Sequence, residues 1–245
     1  AMGSLEDELA QRDELIENAQ QAARKAQASL GGINRRLRSD LAADSLIAES
    51  KAMQPALKRM QLCMTSKAPV LITGEAGVGK ESVARSIHFG SDRKRRPFIE
   101  IDCKGMPDTI IKQELLGYDK GSIPGSLKAH RGAFDKAQGG TIYFNEIAEL
   151  GGELQGILLR FLEDGRVQPI GATTGSKMNV RIVCATQTDP DKAVKSGKIR
   201  EDLFYALSVS RVDVPPLRKR ESDILRLAEA FLVEFRERHN CEHVD

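Results

Sequence analysis

The sequence predicts an α/β fold in which helices flank a five-stranded parallel sheet. Short apolar runs typical of buried strands alternate with longer runs that suit helices, and this alternation favours parallel strands joined by crossovers. A glycine-rich loop separates the first of these strands from the helix that follows it. Several strands end in polar residues, as expected where the carboxyl ends of parallel strands form a ligand site.

The size and charge of the chain limit the classes of function. Its 245 residues suit one α/β domain plus an extra segment, and a net charge of +2 gives no strong field for nucleic acid or membrane. No apolar run approaches the ~20 residues that span a bilayer, and no signal peptide is visible. The cysteines, Cys63, Cys103, Cys184 and Cys241, form no CxxC pair. We therefore expect a cytoplasmic protein with reduced, buried thiols and no membrane partner.

The first part of the chain suggests a linker. Residues 1–4 look like an expression scar, and residues 5–45 are charged, rich in Ala and Gln, and free of Pro. Apolar residues recur there at three- and four-residue steps, which predicts a helix with a narrow apolar stripe. Two interpretations stay open, a coiled-coil helix that makes a homodimer and a solvated or disordered linker.

The alternating elements place the α/β subdomain at residues 46–218, and residues 219–245 add a further helical stretch. The predicted strands are residues 69–73, 98–102, 141–144, 180–185 and 209–214. The predicted helices are residues 54–64, 81–88, 108–116, 154–164, 199–207 and 224–238. Of two glycine-rich segments, residues 117–132 are long enough to suggest a functional loop, and residues 165–179 suggest a hairpin. The basic turn at residues 91–97 is either a solvated loop or a contact for phosphate or a partner.

The loop after the first strand carries the strongest functional signal. It consists of Gly74, Glu75, Ala76, Gly77, Val78, Gly79, Lys80 and Glu81. Strand, glycine loop, lysine and helix together are the context of a phosphate-binding loop. Glycines let backbone N–H groups surround an anion, and both the helix N-terminus and Lys80 add positive charge. A plain tight turn is the alternative. Glu81 stands where Ser or Thr usually binds Mg²⁺.

A second site signal lies at the end of the third predicted strand. Phosphate loops work with two acidic residues at the end of another strand, of which the first usually holds Mg²⁺ and the second activates water. Here the residues at these two positions are Asn145 and Glu146. The alternative for Glu146 is an acid near the start of a helix.

Four further stretches, with the loop of residues 74–81, carry a family resemblance. They are residues 114–121 (ELLGYDKG), 137–141 (AQGGT), 200–205 (REDLFY) and 215–220 (PPLRKR). Over residues 46–240 the chain resembles the AAA+ ATPase domain of bacterial enhancer-binding proteins, the activators of sigma-54 RNA polymerase. The resemblance implies ATP or ADP with Mg²⁺ as cofactors, nucleotide contacts from Ile47 and Arg218, and catalytic roles for Glu146, Arg200 and Asp102.

The resemblance also implies partners. The family forms hexameric or heptameric rings with ATP between subunits, and two surface loops couple hydrolysis to remodelling of the sigma factor. An upstream sensor domain and a downstream helix-turn-helix DNA reader are usual, so DNA contact is expected only through a C-terminal domain outside this sequence. The resemblance implies that residues 219–245 begin the family's helical lid and that the family's sensor-2 arginine lies outside this sequence. Residues 5–40 resemble the linker that joins sensor to ATPase.

The sequence departs from the family at the loop that contacts sigma-54. The family motif GAFTGA is here residues 121–126, GSIPGS. Ile123 replaces the contacting Phe, and Pro124 replaces Thr, which removes a donor and fixes φ. These changes argue against ordinary sigma-54 engagement.

The catalytic positions depart as well. Asn145 replaces an Mg²⁺-associated Asp and loses a charge that hard Mg²⁺ favours. Asp102 replaces an Asn that bonds the catalytic Glu, so two carboxylates beside each other would repel and weaken Glu146 as a base. Of two arginines presented to the neighbour's nucleotide, Arg200 matches one and Ala206 occupies the other.

Three hypotheses follow. The first is a nucleotide-binding AAA+ module of a transcription regulator with attenuated hydrolysis and without ordinary sigma-54 engagement. The second is an active ATPase that remodels sigma-54 RNA polymerase. The third is an interaction scaffold whose nucleotide site is vestigial.

Overall fold

The computed structural model describes residues 46–123 and 126–239, without the side chains of residues 237–239. Several predictions fall outside the described residues and stay predictions. They concern the scar at residues 1–4, the linker helix at residues 5–45, Pro124 in the loop tip, Cys241, and the last residues of the lid.

A five-stranded sheet forms the centre of the described chain. Its strands are β1 (Val70–Thr73), β2 (Phe98–Asp102), β3 (Thr141–Asn145), β4 (Arg181–Thr186) and β5 (Ser210–Asp213). They lie in the order β2-β3-β4-β1-β5, and every neighbouring pair is parallel. The α/β fold with a five-stranded parallel sheet is thus confirmed. All residues of β1 and β4 are buried, which explains why these strands read as apolar runs rather than alternating ones.

Helices connect the strands. They are α1 (Gln54–Thr65), α2 (Lys80–Phe89), α3 (Asp108–Leu116), α4 (Ala133–Lys136), α5 (Gly152–Asp164), α6 (Pro190–Lys195), α7 (Glu201–Leu207) and α8 (Glu221–His239). The longer ones match the predicted helices within a few residues, whereas α4 and α6 were not predicted. The start of α6 carries a sequence signal, because Pro190 follows Asp189, whose carboxylate accepts the N–H of Lys192 at 3.1 Å.

Two hydrophobic clusters pack on opposite faces of the sheet. Leu71 of β1 belongs to one cluster, whereas Val70 and Ile72 belong to the other, as expected from the two-residue period of a strand. Ile111 of α3 packs in the first cluster and Met60 of α1 in the second. The sheet is therefore the middle of three layers, and its carboxyl edge is left for a ligand.

Each glycine-rich segment forms a short antiparallel ribbon. One pairs Gly117–Tyr118 with His130–Arg131, and the other pairs Arg166–Val167 with Ser176–Lys177, which confirms the predicted hairpin. The ribbons touch, because the N–H of Asp119 donates to the carbonyl of Ile170 at 3.0 Å. In the part of the chain that is described, no helix has the length and apolar character that crossing a bilayer requires.

Candidate functional site

The predicted phosphate-binding loop joins β1 to α2 at the carboxyl edge of the sheet. Gly77 and Gly79 have φ values of 76° and 93°, a left-handed region that side chains disfavour. At Gly74 a Cβ would lie 2.8 Å from the carbonyl oxygen of Val214. Ala76 is exposed at the tip, whereas Val78 is buried. The glycines are therefore required by the path of the loop.

Lys80 is the first residue of α2 and turns back under the loop. Its Nζ donates to the carbonyl oxygens of Gly74 and Glu75, each at 3.1 Å. The same atom lies 3.1 Å from Oε1 of Glu146, and the Lys80 side chain is 7% exposed. Buried charges need such partners. The ammonium group is thus held at the mouth of the loop, where an anion would bind.

Glu146 follows β3 and occupies a strained position. Its φ of 56° makes it the non-glycine residue with positive φ among residues 46–123 and 126–239. Such a conformation costs roughly 1–3 kcal/mol and is typical of functional sites. Oε2 of Glu146 accepts the N–H of Gln187 at 2.9 Å. Glu146 is also the N-cap residue of a 3₁₀ turn, Ile147–Glu149, as the alternative interpretation expects, but its side chain makes no capping bond there.

Asn145 and Asp102 are register partners on β3 and β2. The amide oxygen of half-buried Asn145 accepts the Tyr143 hydroxyl at 3.3 Å. The exposed Asp102 carboxylate accepts the N–H of Lys104 at 3.1 Å. Since Glu146 bonds Lys80 and Gln187 instead, the two carboxylates have separate partners. The suggested competition between Asp102 and Glu146 stays a prediction.

A buried thiol lies beside these acids. Burial raises the pKa of Cys103 to about 12, and the charges of Asp102 and Glu146 act in the same direction. Burial also raises the pKa values of Cys63 and Cys184. All these cysteines are free and buried, as the sequence predicts for the thiols in the described ranges.

The other predicted nucleotide contacts surround the loop. Arg218 bonds Glu75 through both guanidinium Nη atoms, each at 2.7 Å, and this contact lowers the pKa of Glu75. Glu81 is paired with Arg85 at 2.7 Å on the exposed face of α2. Ile47 is half-buried, and its carbonyl accepts from Arg220 at 2.8 Å. Arg220 was not singled out from the sequence as a site residue.

Two predicted functional features lie elsewhere on the surface. Arg200, at the start of α7, is half exposed and pairs with Asp202 at 2.7 Å, while Ala206 is half-buried on the same helix. The described residues of the segment 121–126 bond to one another, since the N–H of Gly121 donates to the carbonyl of Ser126 and the N–H of Ser126 donates to the carbonyl of Ile123, both at 3.0 Å.

The donor set decides how a metal could bind. Across the described ranges, no group of three or more His, Cys, Asp or Glu side chains is arranged to hold a metal ion. Mg²⁺ commonly takes one or two protein ligands and completes its shell with phosphates and water. Asn145 and Glu146 fit that limited role, so an ion here would depend on bound phosphate for most of its ligands.

Comparisons with known proteins agree with this geometry. The family model described as the sigma-54 interaction domain matches residues 46–213. A Nif-specific regulatory protein of Rhizobium leguminosarum bv. trifolii is 40% identical over 190 residues, covering 78% of this chain and 54% of that protein. The phenol regulator MopR of Acinetobacter guillouiae is 40% identical over 202 residues, covering 82% and 36%. The chain thus spans about half or less of the length of these curated relatives.

Solved structures share the fold. The crystal structure of NtrX from Brucella abortus has a TM-score of 0.75 and 30% identity, covering 87% of this chain and 48% of that chain. NtrX has also been solved in complex with ADP, at a TM-score of 0.74 and 31% identity, and in complex with ATP, at 0.74 and 32%. A cryo-EM reconstruction of Hsp104 has the same type of fold, with a TM-score of 0.57 and 18% identity. The fold is therefore that of AAA+ P-loop NTPases.

Proposed function

The chain belongs to the sigma-54 interaction domain family, and from this we propose that it binds ATP and ADP as the AAA+ module of a bacterial transcription regulator. We further propose that its hydrolysis is attenuated and that it does not engage sigma-54 in the ordinary way. The observation that carries nucleotide binding is the loop at residues 74–79 with the Lys80 ammonium at its mouth.

Nucleotide binding has independent support. The NtrX structures contain ADP and ATP, and NtrX shares the fold at about a third identity. In this chain, Gly77 and Gly79 of the phosphate loop have positive φ values, with which a glycine loop can turn backbone N–H groups towards an anion. Mg²⁺ would be held by the nucleotide phosphates with Asn145 or Glu146 and would neutralise charge on the transferred phosphoryl group.

Attenuated hydrolysis is supported by two substitutions. Asn145 offers a neutral oxygen where Mg²⁺ favours a carboxylate, and that oxygen already accepts from Tyr143. Ala206 offers no cation to a neighbouring nucleotide, although arginines supplied in trans contribute about 10³–10⁵ in rate elsewhere. Nucleotide would then act mainly as a switch or assembly ligand rather than as fuel.

Altered sigma-factor engagement is supported by the loop at residues 121–126. An aromatic residue is replaced by Ile123, and the next position is proline, so neither ring contacts nor the N–H at that position are available. The family suggests RNA polymerase as partner and a ring of copies as the assembly, whereas the apolar stripe predicted in residues 5–45 suggests a dimer.

One observation favours the alternative, an active ATPase that remodels sigma-54 RNA polymerase. Glu146 is held by bonds to both of its carboxylate oxygens, at 3.1 Å from Lys80 and 2.9 Å from Gln187. An acid that is held in one orientation beside a phosphate loop is placed to activate water as a general base.

Two measurements separate these functions. Calorimetry with ATP and ADP tests binding, and steady-state phosphate release tests hydrolysis in the protein and in Glu146→Gln. We expect clear binding of both nucleotides. We also expect the rate of ATP hydrolysis to be close to that of the Glu146→Gln variant. Rapid hydrolysis that Glu146→Gln abolishes, with promoter opening by sigma-54 polymerase, would establish the alternative. Absence of binding by either nucleotide would refute both.

A further inference from the structure

A buried ion pair lies behind the phosphate loop, outside the predicted site. Nε of Arg220 donates to Oδ2 of Asp223 at 2.9 Å, and the side chains are 4% and 0% exposed. Arg220 follows the 3₁₀ turn Leu217–Lys219, and Asp223 is in the first turn of α8. A buried ion pair is weak evidence for stability by itself, so its other contacts decide what it does.

The Asp223 carboxylate binds the segment that enters the domain. Oδ1 accepts the N–H groups of Glu49 and Ser50, both at 2.8 Å, and Oδ2 accepts the Ser50 hydroxyl at 2.9 Å. Hydrogen bonds to an ionised acceptor are roughly twice as strong as neutral ones. Glu49 and Ser50 are thus fixed by a side chain 174 and 173 positions away.

The Arg220 guanidinium forks between that segment and the phosphate loop. Nη2 donates to the carbonyl of Ile47 at 2.8 Å, and Nη1 donates to the carbonyl of Val78 at 3.1 Å. Because a trans peptide is planar, its N–H points opposite to its C=O. Arg220 therefore turns the N–H of Gly79 away from itself, and backbone N–H groups of this loop are the ones that bind phosphate.

We propose that Arg220 is a positioning residue for the nucleotide: oriented by Asp223, it fixes the Val78–Gly79 peptide and ties it to residues 47–50. Residues 47–50 and the phosphate loop, on two sides of the nucleotide site, then become ordered together. Binding of nucleotide and ordering of the segment that leads in from residues 1–45 are coupled through one guanidinium. This inference rests on the proposed nucleotide binding.

The test compares two arginines of the lid region. Arg220→Lys keeps the charge but cannot reach two carbonyls and Asp223 together. We expect it to weaken ADP binding, measured by calorimetry, by about tenfold. Arg226→Lys is the matched control, because exposed Arg226 on α8 reaches the same segment only through a 3.8 Å pair with Glu49, and its ADP affinity should stay within about twofold of the unsubstituted protein.

Hydrogen exchange distinguishes this positioning role from a role in stability alone, because only the positioning role makes amide exchange in residues 49–50 depend on ADP. In the unsubstituted protein, ADP should slow exchange of the Glu49 and Ser50 amides, and Arg220→Lys should lose this protection. Ser50→Ala, which deletes one bond to Asp223, should reduce the protection even if Arg220→Lys folds poorly. Unchanged ADP affinity in Arg220→Lys, or ADP without effect on these amides, would overturn the proposal. Failure of the unsubstituted protein to bind ADP would instead refute the proposed function.

Discussion

Nζ of Lys80 and Oε1 of Glu146 lie 3.1 Å apart, and both side chains are less than a tenth exposed. The cation of the phosphate loop and the acid at the end of β3 therefore neutralise each other. A phosphate that approaches Lys80 competes with Glu146 for the same ammonium group. Glu146 also accepts the N–H of Gln187, which follows β4, so its carboxylate connects the ends of three neighbouring strands, β3, β4 and β1.

Lys80→Ala should remove nucleotide binding and also destabilise the fold. The substitution takes a full positive charge from the phosphate site and leaves the buried Glu146 carboxylate without its counter-charge, which costs roughly 3–5 kcal/mol when a buried pair is broken. We expect ADP affinity to fall at least about a hundredfold. Calorimetry and urea unfolding measure the two effects.

A surface lysine controls for loss of charge in this experiment. Lys198 forms an exposed pair with Glu149 at 3.5 Å, so Lys198→Ala should change stability by less than about 1 kcal/mol and leave ADP binding intact. Equal ADP affinity in Lys80→Ala and Lys198→Ala would show that the loop does not bind nucleotide.

Asn145→Asp should raise the rate of ATP hydrolysis. A carboxylate at this half-buried position would give Mg²⁺ a charged ligand and favour the ion by a few kcal/mol. We expect an increase of about tenfold or more in steady-state phosphate release. Glu146→Gln in the Asn145→Asp background is the control, because the gain depends on a base that activates water. A gain that survives this second substitution, or no gain at all, contradicts the assignment.

The central sheet and the phosphate loop could be predicted from the sequence because their signals are local. β1 and β4 are apolar runs bounded by turn residues, and Gly77 and Gly79 stand at positions where the backbone needs positive φ. Lys80 could be proposed from the loop motif itself, and Glu146 could be proposed because a phosphate loop is usually accompanied by an acidic residue at the end of another strand. The short helices α4 and α6 were missed because runs of this length carry little periodicity.

Burial of charge is what the sequence could not show. In the sequence, Arg220 stands out only as part of the stretch of residues 215–220, and nothing local indicates that Asp223 contacts Ser50, 173 positions away. The basic turn at residues 91–97 contains another charged side chain whose burial the sequence does not indicate. Arg95 is exposed as the solvated interpretation predicts, but Arg93 is 9% exposed. Partners supplied by distant segments determine which of two neighbouring arginines is structural.

His88 should make stability depend on pH. It is fully buried; its Nε2 donates to the carbonyl of Arg96 at 3.1 Å, so its Nδ1 accepts from the Thr141 hydroxyl at 2.9 Å. Burial lowers the pKa of His88 to about 4, and the positive charge of nearby Arg181 acts in the same direction. The unfolded chain takes up a proton near pH 6.5, but the folded protein does not.

The sign follows from this difference in protons bound. Stability from neutral His88 is complete above pH ~6.5 and falls as pH drops from ~6.5 towards 4, by about 3 kcal/mol in total. Urea unfolding of the protein and of His88→Gln between pH 4 and 8 tests it, because carboxylates contribute equally to both curves. The difference between the two free energies should shrink as pH falls; parallel curves would contradict the assignment.

Arg93→Ala should destabilise the fold, whereas Arg95→Ala should not. The Arg93 guanidinium donates to the carbonyl of Gly140 at 2.8 Å and to the carbonyl and side-chain oxygens of Asn179 at 3.2 and 2.6 Å. These bonds join the turn before β2 to the segments that lead into β3 and β4. Truncation removes the hydrogen bonds of a buried guanidinium, which contribute roughly 2–3 kcal/mol because the donor is charged, although the carbonyls of Gly140 and Asn179 keep the N–H groups of Arg181 and Gly139. Loss of the exposed Arg95 side chain should cost less than about 0.5 kcal/mol. Urea midpoints compare the two variants directly, and equal midpoints would show that the turn is held by its backbone alone.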